Sequence, residues 1–253
     1  PLFAGWKYTW CAVPRVDQVK RPASERIGDF REIYNLLDPD LAQAQAQRCV
    51  QCGFPFCASG CPLSNRIPEW MRLTAEGRFL EAAAASRASS NMPEICSRVC
   101  PQERLCESMC TLNERTEAVS IGAIEKFIQE YAFAHGDVEV HRVFPNGFRV
   151  AVVGSGPAGL ACADELIQRG YEITVLESLP VLGGLLVNGI PAFKLDKSVV
   201  ERRIDLLRQR GVVFHTEVHV GRDLKLNELR RDYDAVFLGM GAQKSKELGV
   251  PGE

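Results

Sequence analysis

The sequence predicts a helical, cysteine-rich domain followed by an α/β domain with a largely parallel sheet. Three observations lead there. Eight of the ten cysteines fall within residues 49–110, and the 143 residues that follow hold only Cys162. From residue 148 onward, short apolar runs alternate with helical periodicity, which is the order of β-α-β units. Between the first of those runs and its helix stands "GSGPAG", a glycine-rich turn.

The elements follow in chain order. Residues 1–37 contain Pro14, Pro22 and mixed charges with weak periodicity, and read as an arm lying over some other surface, another chain being one candidate. At "DPDLAQAQAQRC", Asp38 suits a cap, Pro39 the first helical position, and the Ala/Gln run propagates a helix that delivers Cys49 and Cys52. "IPEWMRLTAEGRFLEAAAASRASS" reads as two short helices broken near Gly77. After Ser120, "IGAIEKFIQEYAFAH" reads as a helix with Ile121, Ile124, Phe127, Ile128 and Tyr131 on one face. Residues 38–135 thus make the helical domain, and the aperiodic "GDVEVHRVFPNG", residues 136–147, a linker. The α/β domain, residues 148–253, opens with the buried strand "FRVAVVG", the helix "PAGLACADELIQRG" ending at Gly170, and the strand "YEITVLE". "LDKSVVERRIDLLRQRG" repeats the logic with Val200, Ile204 and Leu207 at helical spacing and Gly211 as the stop, and "VVFHTEVHV" and "YDAVFLGMG" supply further strands.

Composition narrows the functional classes. At 253 residues and 46% hydrophobic, the chain can bury an ordinary core, so its cysteines are not needed as the disulfide staples of a secreted mini-protein. A net charge of -2 with scattered Lys and Arg offers no basic stripe for a phosphate backbone, which sets nucleic acid aside as a partner. No apolar run approaches a membrane span and the N-terminus lacks the order of a secretory signal, so the cytoplasm is the expected location and no membrane partner is expected. The chain begins at Pro1 without an initiator methionine and stops at Glu253 soon after a strand-like segment, which suggests a part of something longer.

The cysteines form two quartets. Cys49, Cys52, Cys57 and Cys61 read C-x2-C-x4-C-x3-C-P, while Cys96, Cys100, Cys106 and Cys110 read C-x3-C-P-x4-C-x3-C. Thiolates are soft ligands for zinc or for iron-sulfur clusters. A compact run of three with a fourth supplied from afar is the ferredoxin habit, and a cysteine followed by proline, as at Cys61 and Cys100, there serves the other cluster. A zinc ribbon instead shows two C-x2-C pairs, and only one is present. Spacing favours iron-sulfur but does not assign each thiol to its cluster. His135, His141, His215 and His219 lack ligand-like spacing, and Cys11 and Cys162 read as ordinary residues.

"VAVVGSGPAGLACADELIQRGYEITVLE" places Gly154, Gly156 and Gly159 between a strand and a helix, with Glu177 ending the next strand. The first glycine allows the tight turn, the second lets backbone approach a pyrophosphate, and the third lets helix and strand pack closely. The helix N-terminus at Pro157 and Ala158 then faces the phosphates with its positive dipole end. Glu177 would accept from ribose hydroxyls and repel a 2'-phosphate, so NADP is disfavoured there while FAD and NAD both fit.

Together, "RCVQCGFPFCASGCPLSNRIPEW", "NMPEICSRVCPQERLCESMC", "VSIGAIEKFI", "VVGSGPAGLACADEL", "GGLLVNGIPAFKLDKSVVERRIDLL" and "YDAVFLGMGAQ" resemble the small-subunit family of NADPH-dependent glutamate synthase. That family also takes in an electron-bifurcating ferredoxin oxidoreductase and the N-terminal half of dihydropyrimidine dehydrogenase. The resemblance covers most of residues 38–253. It implies an oxidoreductase subunit with two 4Fe-4S clusters in the helical domain and FAD in a Rossmann-like domain that is incomplete here. Carried over by position, Cys49, Cys52, Cys57 and Cys110 would hold one cluster, and Cys61, Cys100 and Cys106 the other. Glu125 would be the fourth ligand of the second, with Cys96 as its rival, although a glutamate in a helical "AIEKFI" is ordinarily a solvated one. Gly183, Gly184, Leu185 and the turn Gly189, Ile190, Pro191 would lie near the flavin, Gly239 and Gly241 would bring backbone toward it, and Lys194 would be near it or simply exposed.

The resemblance also implies the activity. NAD(P)H, bound through a second dinucleotide domain that relatives carry and this sequence lacks, would reduce FAD, and electrons would pass along two clusters to a catalytic partner such as the glutamate synthase large subunit. Two rival readings remain: a module serving another terminal acceptor such as ferredoxin, and a non-catalytic adaptor with structural metal.

Overall fold

In a computed structural model the chain is described over residues 9–136, 138, 143–242 and 246–251. Residues 1–8 of the arm, His141 with most of the linker before Val143, and Gly252–Glu253 lie outside the described residues. Two units result, one of Pro1–Glu139 with Pro191–Val199, the other of Val140–Ile190 with Val200–Glu253.

The first unit is helical. It contains α1 (Thr9–Ala12), α2 (Ala23–Arg26), α3 (Pro39–Ala46), α4 (Phe56–Ser59), α5 (Ile67–Ala75), α6 (Phe79–Arg87), α7 (Pro93–Val99) and α8 (Ile121–Ala134), with 3-10 turns at Gln102–Arg104 and Thr111–Glu114. Asp38 caps α3 by accepting from the Leu41 N–H at 2.8 Å, with Pro39 at the first turn. Gly77, at φ 76°, turns the chain between α5 and α6, a conformation costly for any residue with a Cβ. The core gathers Trp70, Met71, Ile124 and Ile128, all fully buried, and the half-buried Cys49, Cys57, Cys61, Cys106 and Cys110 pack against it. The apolar face of α8 is as its period predicts, with Tyr131 at its rim stacked on His135.

The arm was expected to lie over some other surface, and its described part lies on the helical unit. The Val16 N–H donates to Gln45 Oε1 (3.0 Å), Ser120 donates to the Val16 carbonyl (2.8 Å), and Leu37 is buried. Glu32 fastens it most firmly. Its carboxylate takes Arg98 Nε at 2.6 Å, Lys126 Nζ at 2.9 Å and the Asp196 N–H at 3.1 Å. Burial pushes its carboxyl up, but Arg98 and Lys126 outweigh this and hold it below the usual range. Glu32→Ala takes the contacting carboxylate from the buried Lys126, which keeps the Tyr34 carbonyl at 3.1 Å, while Arg98 keeps Glu130 at 3.0 Å. The expected cost is about 3 kcal/mol in urea or thermal unfolding. Because the folded carboxyl is the stronger acid, this contribution is full at neutral pH and is lost as pH falls through its folded value, so parent and variant converge in acid.

The second unit is a four-stranded parallel sheet in the order β3-β2-β1-β4. Its elements are β1 (Arg149–Val153), α9 (Pro157–Ile167), β2 (Glu172–Leu176), α10 (Leu185–Asn188), β3 (Val213–His215), α12 (Leu226–Asp232) and β4 (Ala235–Leu238), while α11 (Lys197–Arg210) begins in the segment grouped with the helical unit. Val150 of β1 pairs with Ile173 on one side and Ala235 on the other. α9 packs on β1 and β2, the two parallel strands it connects. The segment "VVFHTEVHV" is a strand only over Val213–His215, because Glu217 takes φ 61° and Val220 reaches only an isolated bridge to Leu224. Pro191–Val199, read from the sequence as part of the α/β domain, groups with the helical unit, where the Ile33 N–H donates to the Phe193 carbonyl at 3.0 Å and Leu195 is fully buried.

Candidate metal centre and nucleotide cradle

All ten cysteines are free thiols. Cys49, Cys52, Cys57 and Cys110, drawn from both quartets, line one cavity together with Phe56, Ile67, Met71, Val119 and Ile121. The fold explains the meeting: α3 ends just before Cys49, α4 carries Cys57, and Cys110 precedes the Thr111–Glu114 turn. Burial pushes the Cys49 thiol up to about 12 and the Cys57 thiol up to about 11, and the neighbouring thiols of the set push the same way. Four half-buried sulfurs that repel one another as anions need a cationic core to become thiolates together. Among the described residues no three His, Cys, Asp or Glu side chains converge tightly enough to hold one ion. One zinc would draw its thiolates to about 3.8 Å from each other, given Zn–S bonds of about 2.3 Å, whereas iron and sulfide interposed between thiolates hold them farther apart. The donor set and its walls fit a four-iron core.

The second group gathers around Glu125. It lies on α8, and it is buried, not solvated, because the α8 face that carries it turns inward. Its Oε1 accepts from Ser86 Oγ at 2.8 Å and Asn65 Nδ2 at 3.0 Å, and among the described residues Oε2 receives no hydrogen bond. Asn65 is itself held by Trp70 Nε1 (3.0 Å) and Ser89 Oγ (3.1 Å), both donating to Oδ1. Burial pushes the Glu125 carboxyl up to about 7, against the pull of Ser86 and Asn65. Cys96, Cys100 and Cys106 are within electrostatic reach of that carboxylate, and Cys61 within reach of Cys106. Cys96 and Cys100, one α7 turn apart, act on each other, which raises the Cys96 thiol and, with Lys194 helping, lowers Cys100 to about 7. Lys194 is exposed, and in the helical unit its charge is felt by Cys100. Sequence spacing does not point to Asn65 or Ser86; the positive φ of 50° at Ser64, which aims the next side chain inward, is a feature of the fold alone.

In the α/β unit the glycines meet backbone to backbone. Gly154 has φ 99°, and a Cβ there would lie 2.5 Å from the Gly239 carbonyl oxygen. A Cβ on Gly159 would fall 1.9 Å from the Gly154 carbonyl oxygen, and one on Gly184 2.8 Å from Gly156 Cα. Gly183, at φ 110°, would meet the side chains of Val187 and Val200. Gly156 differs: it caps α9, and a Cβ there would meet nothing. That open space beside the N–H groups of Pro157–Ile167's first turn fits a diphosphate. Leu185 is exposed at the start of α10, Gly189 closes that helix, the Ile190 N–H donates to the Leu185 carbonyl, and Gly241, at φ 66°, is open. Pro191 belongs to the helical unit.

Glu177 ends β2 and is buried, and its carboxylate is already occupied. Oε2 takes the Ser155 N–H (2.9 Å) and hydroxyl (2.6 Å); Oε1 takes the Leu179 N–H (2.9 Å) and the Ser178 hydroxyl (3.2 Å). Burial pushes its carboxyl up, and these donors, Ser155 foremost, bring it below the usual range. A ribose hydroxyl would take the place of one of the serine hydroxyls. Ser155, absent from the sequence-derived site, also accepts from the Gly183 N–H at 3.0 Å and so ties the glycine turn to the "GGLL" loop. Its position inside the motif was the available signal.

These two arrangements define the class. Residues 26–137 match the family described as dihydropyrimidine dehydrogenase domain II, 4Fe-4S cluster, and residues 148–253 the pyridine nucleotide-disulphide oxidoreductase family. The chain therefore joins a 4Fe-4S cluster domain to an oxidoreductase domain of the kind that carries FAD. More particularly, it is similar to the NADPH glutamate synthase small chains: 50% identical over 235 residues to that of Azospirillum brasilense, covering 92% of this chain and 49% of that one, and 46% identical over 247 residues to that of Escherichia coli, covering 97% and 52%. This chain spans about half the length of the curated relatives it matches. Among solved structures, FprA of Mycobacterium tuberculosis in complex with NADPH is 30% identical over 42% of this chain and 25% of that one, with a TM-score of 0.38. Among the described residues no helix is long and apolar enough to cross a membrane.

Proposed function

We propose that this chain is the electron-transfer part of a glutamate synthase-like oxidoreductase in the cytoplasm, passing electrons between NAD(P)H, FAD and two 4Fe-4S clusters to a catalytic partner subunit. The arm 1–37, cluster domain 38–135, linker 136–147 and flavin domain 148–253 divide that work. When bound, the flavin exchanges electron pairs with a nicotinamide held elsewhere and single electrons with the clusters. The observation that carries the reading is the meeting of Cys49, Cys52, Cys57 and Cys110 around one cavity.

The chain's own residues bind and tune. Cys49, Cys52, Cys57 and Cys110 hold the first cluster, and Cys61, Cys100, Cys106 and Glu125 the second. Asn65 and Ser86 hold one oxygen of Glu125 and leave the other for iron. Gly156 leaves space for the dinucleotide, Gly154, Gly159, Gly183, Gly184 and Gly239 let the segments around it approach closely, and the Glu177 anion disfavours a 2'-phosphate. Anaerobic purification with iron, sulfide and flavin quantified tests the whole: broad cluster absorption and flavin bands that bleach with dithionite are expected, and a colourless zinc protein overturns the proposal.

Glu125 and Cys96 are separated by substitution. Glu125→Ala is expected to lose the second cluster, about half of the iron, whereas Cys96→Ser keeps both. Iron analysis and EPR of the reduced proteins read the difference, and the opposite pattern gives the ligand role to Cys96.

A further inference from the structure

Arg48 is among the largest fully buried side chains, at 1% exposure, and it stands next to Cys49. Among the described residues it has no carboxylate partner. Its Nη1 and Nη2 donate to the backbone carbonyls of Ala118 (3.0 Å) and Glu117 (2.8 Å), and its Nε, also buried, donates to nothing. The exposed Glu117 carboxylate forms no ion pair with it and, with Asp17, attracts it only at longer range, while Arg15 adds a like charge. A buried cation so poorly compensated is costly unless something anionic lies beside it. Cys110, on the first cavity, is within reach of the same guanidinium, and the carbonyls that hold it lead directly into Val119 and Ile121 of the cavity wall. The Cys49 backbone N–H bonds to the Ala46 carbonyl, so the helix end that carries Arg48 also fixes Cys49.

We propose that Arg48 is the fixed counter-charge of the first cluster and raises its reduction potential. This rests on the assignment of Cys49, Cys52, Cys57 and Cys110 to that cluster. Thiolates and sulfides together outweigh the iron charge, so such a core is anionic when oxidised and gains one further negative charge with each electron accepted. A buried guanidinium favours the more negative state, and low local polarity strengthens the effect. Arg48 is thus a positioning and tuning residue; it ligates nothing. Without its charge the electron is held less tightly at that site.

The test is a potentiometric titration, followed by EPR, of the holoprotein carrying Arg48→Met, Arg48→Lys or Arg48→Gln, with iron content and thermal unfolding measured alongside. Arg48→Met is expected to shift one cluster to a more negative potential while leaving the other unmoved, and Arg48→Lys, which keeps the charge, to restore most of the shift. If Arg48→Met does not accumulate folded, Arg48→Gln replaces it, since glutamine can still donate to the carbonyls without carrying charge. Unchanged potentials at full iron content in the uncharged variant overturn the proposal. So does equal damage from lysine and the uncharged residue, which would mark Arg48 as a clamp on Glu117 and Ala118 only. Failure of the ligand assignment itself is separately visible, as full iron retention in Cys57→Ala.

Discussion

Cys57→Ala is expected to yield a folded protein with about half of the parent's iron and sulfide. The thiol sits on the four-residue helix Phe56–Ser59 and shares its cavity with Cys49, Cys52 and Cys110. Most of the rest of the wall is apolar, so no neighbouring thiol or carboxylate stands ready to replace the lost ligand. The second group, around Cys61, Cys106 and Glu125, is separate and should keep its iron. Because Cys57 packs against the helical core and a metal core binds the folded state, the unfolding temperature should also fall by several degrees. Iron and sulfide analysis with EPR after reduction checks this, and undiminished iron would remove the assignment.

Gly159→Ala should abolish flavin retention and destabilise the α/β unit together. The added Cβ would lie 1.9 Å from the Gly154 carbonyl oxygen and 3.3 Å from Val152 Cγ1. Backbone, not a flexible side chain, must move, so the cost belongs at or above the upper end of the ~1–3 kcal/mol typical of overpacking. α9 would have to retreat from β1, which opens the turn at Gly154 and its contact with Gly239. Gly156→Ala is the control. Its Cβ meets no protein atom, so unfolding should be unchanged while flavin content falls, because the methyl group occupies the space reserved for the diphosphate. Flavin fluorescence after gel filtration and thermal unfolding separate the two effects, and normal flavin content in Gly156→Ala would count against the cradle.

Much of the fold was legible because its signals are local. Asp38 and Pro39, the break at Gly77, the apolar period from Ile121 to Ile128 and the strand-turn-helix around Gly154 each depend on neighbours within a few residues. The strand expected over residues 212–220 shortened to Val213–His215 because the chain turns at Glu217, whose φ is 61°, and the ladder breaks there although the Val218 N–H still donates to the Glu177 carbonyl at 2.9 Å. The surface on which the arm lies was not legible either. Its weak periodicity carries no address, and the contacts that seat it, Glu32 with Arg98 and Lys126 and Val16 with Gln45 and Ser120, join segments far apart in the sequence.

The sequence by itself determined the donor chemistry and the glycine turn, since eight closely spaced thiols and "GSGPAG" between strand and helix restrict what those segments can bind. Only the tertiary structure decided that Cys49, Cys52, Cys57 and Cys110 line one cavity, that Glu125 is buried behind Asn65 and Ser86, that Ser155 occupies Glu177, and that Arg48, next to Cys49, is buried with its guanidinium on backbone carbonyls. Spacing along a chain constrains a residue's near neighbours, whereas burial and the choice among equally capable ligands depend on which helices pack together, and that packing joins segments many residues apart.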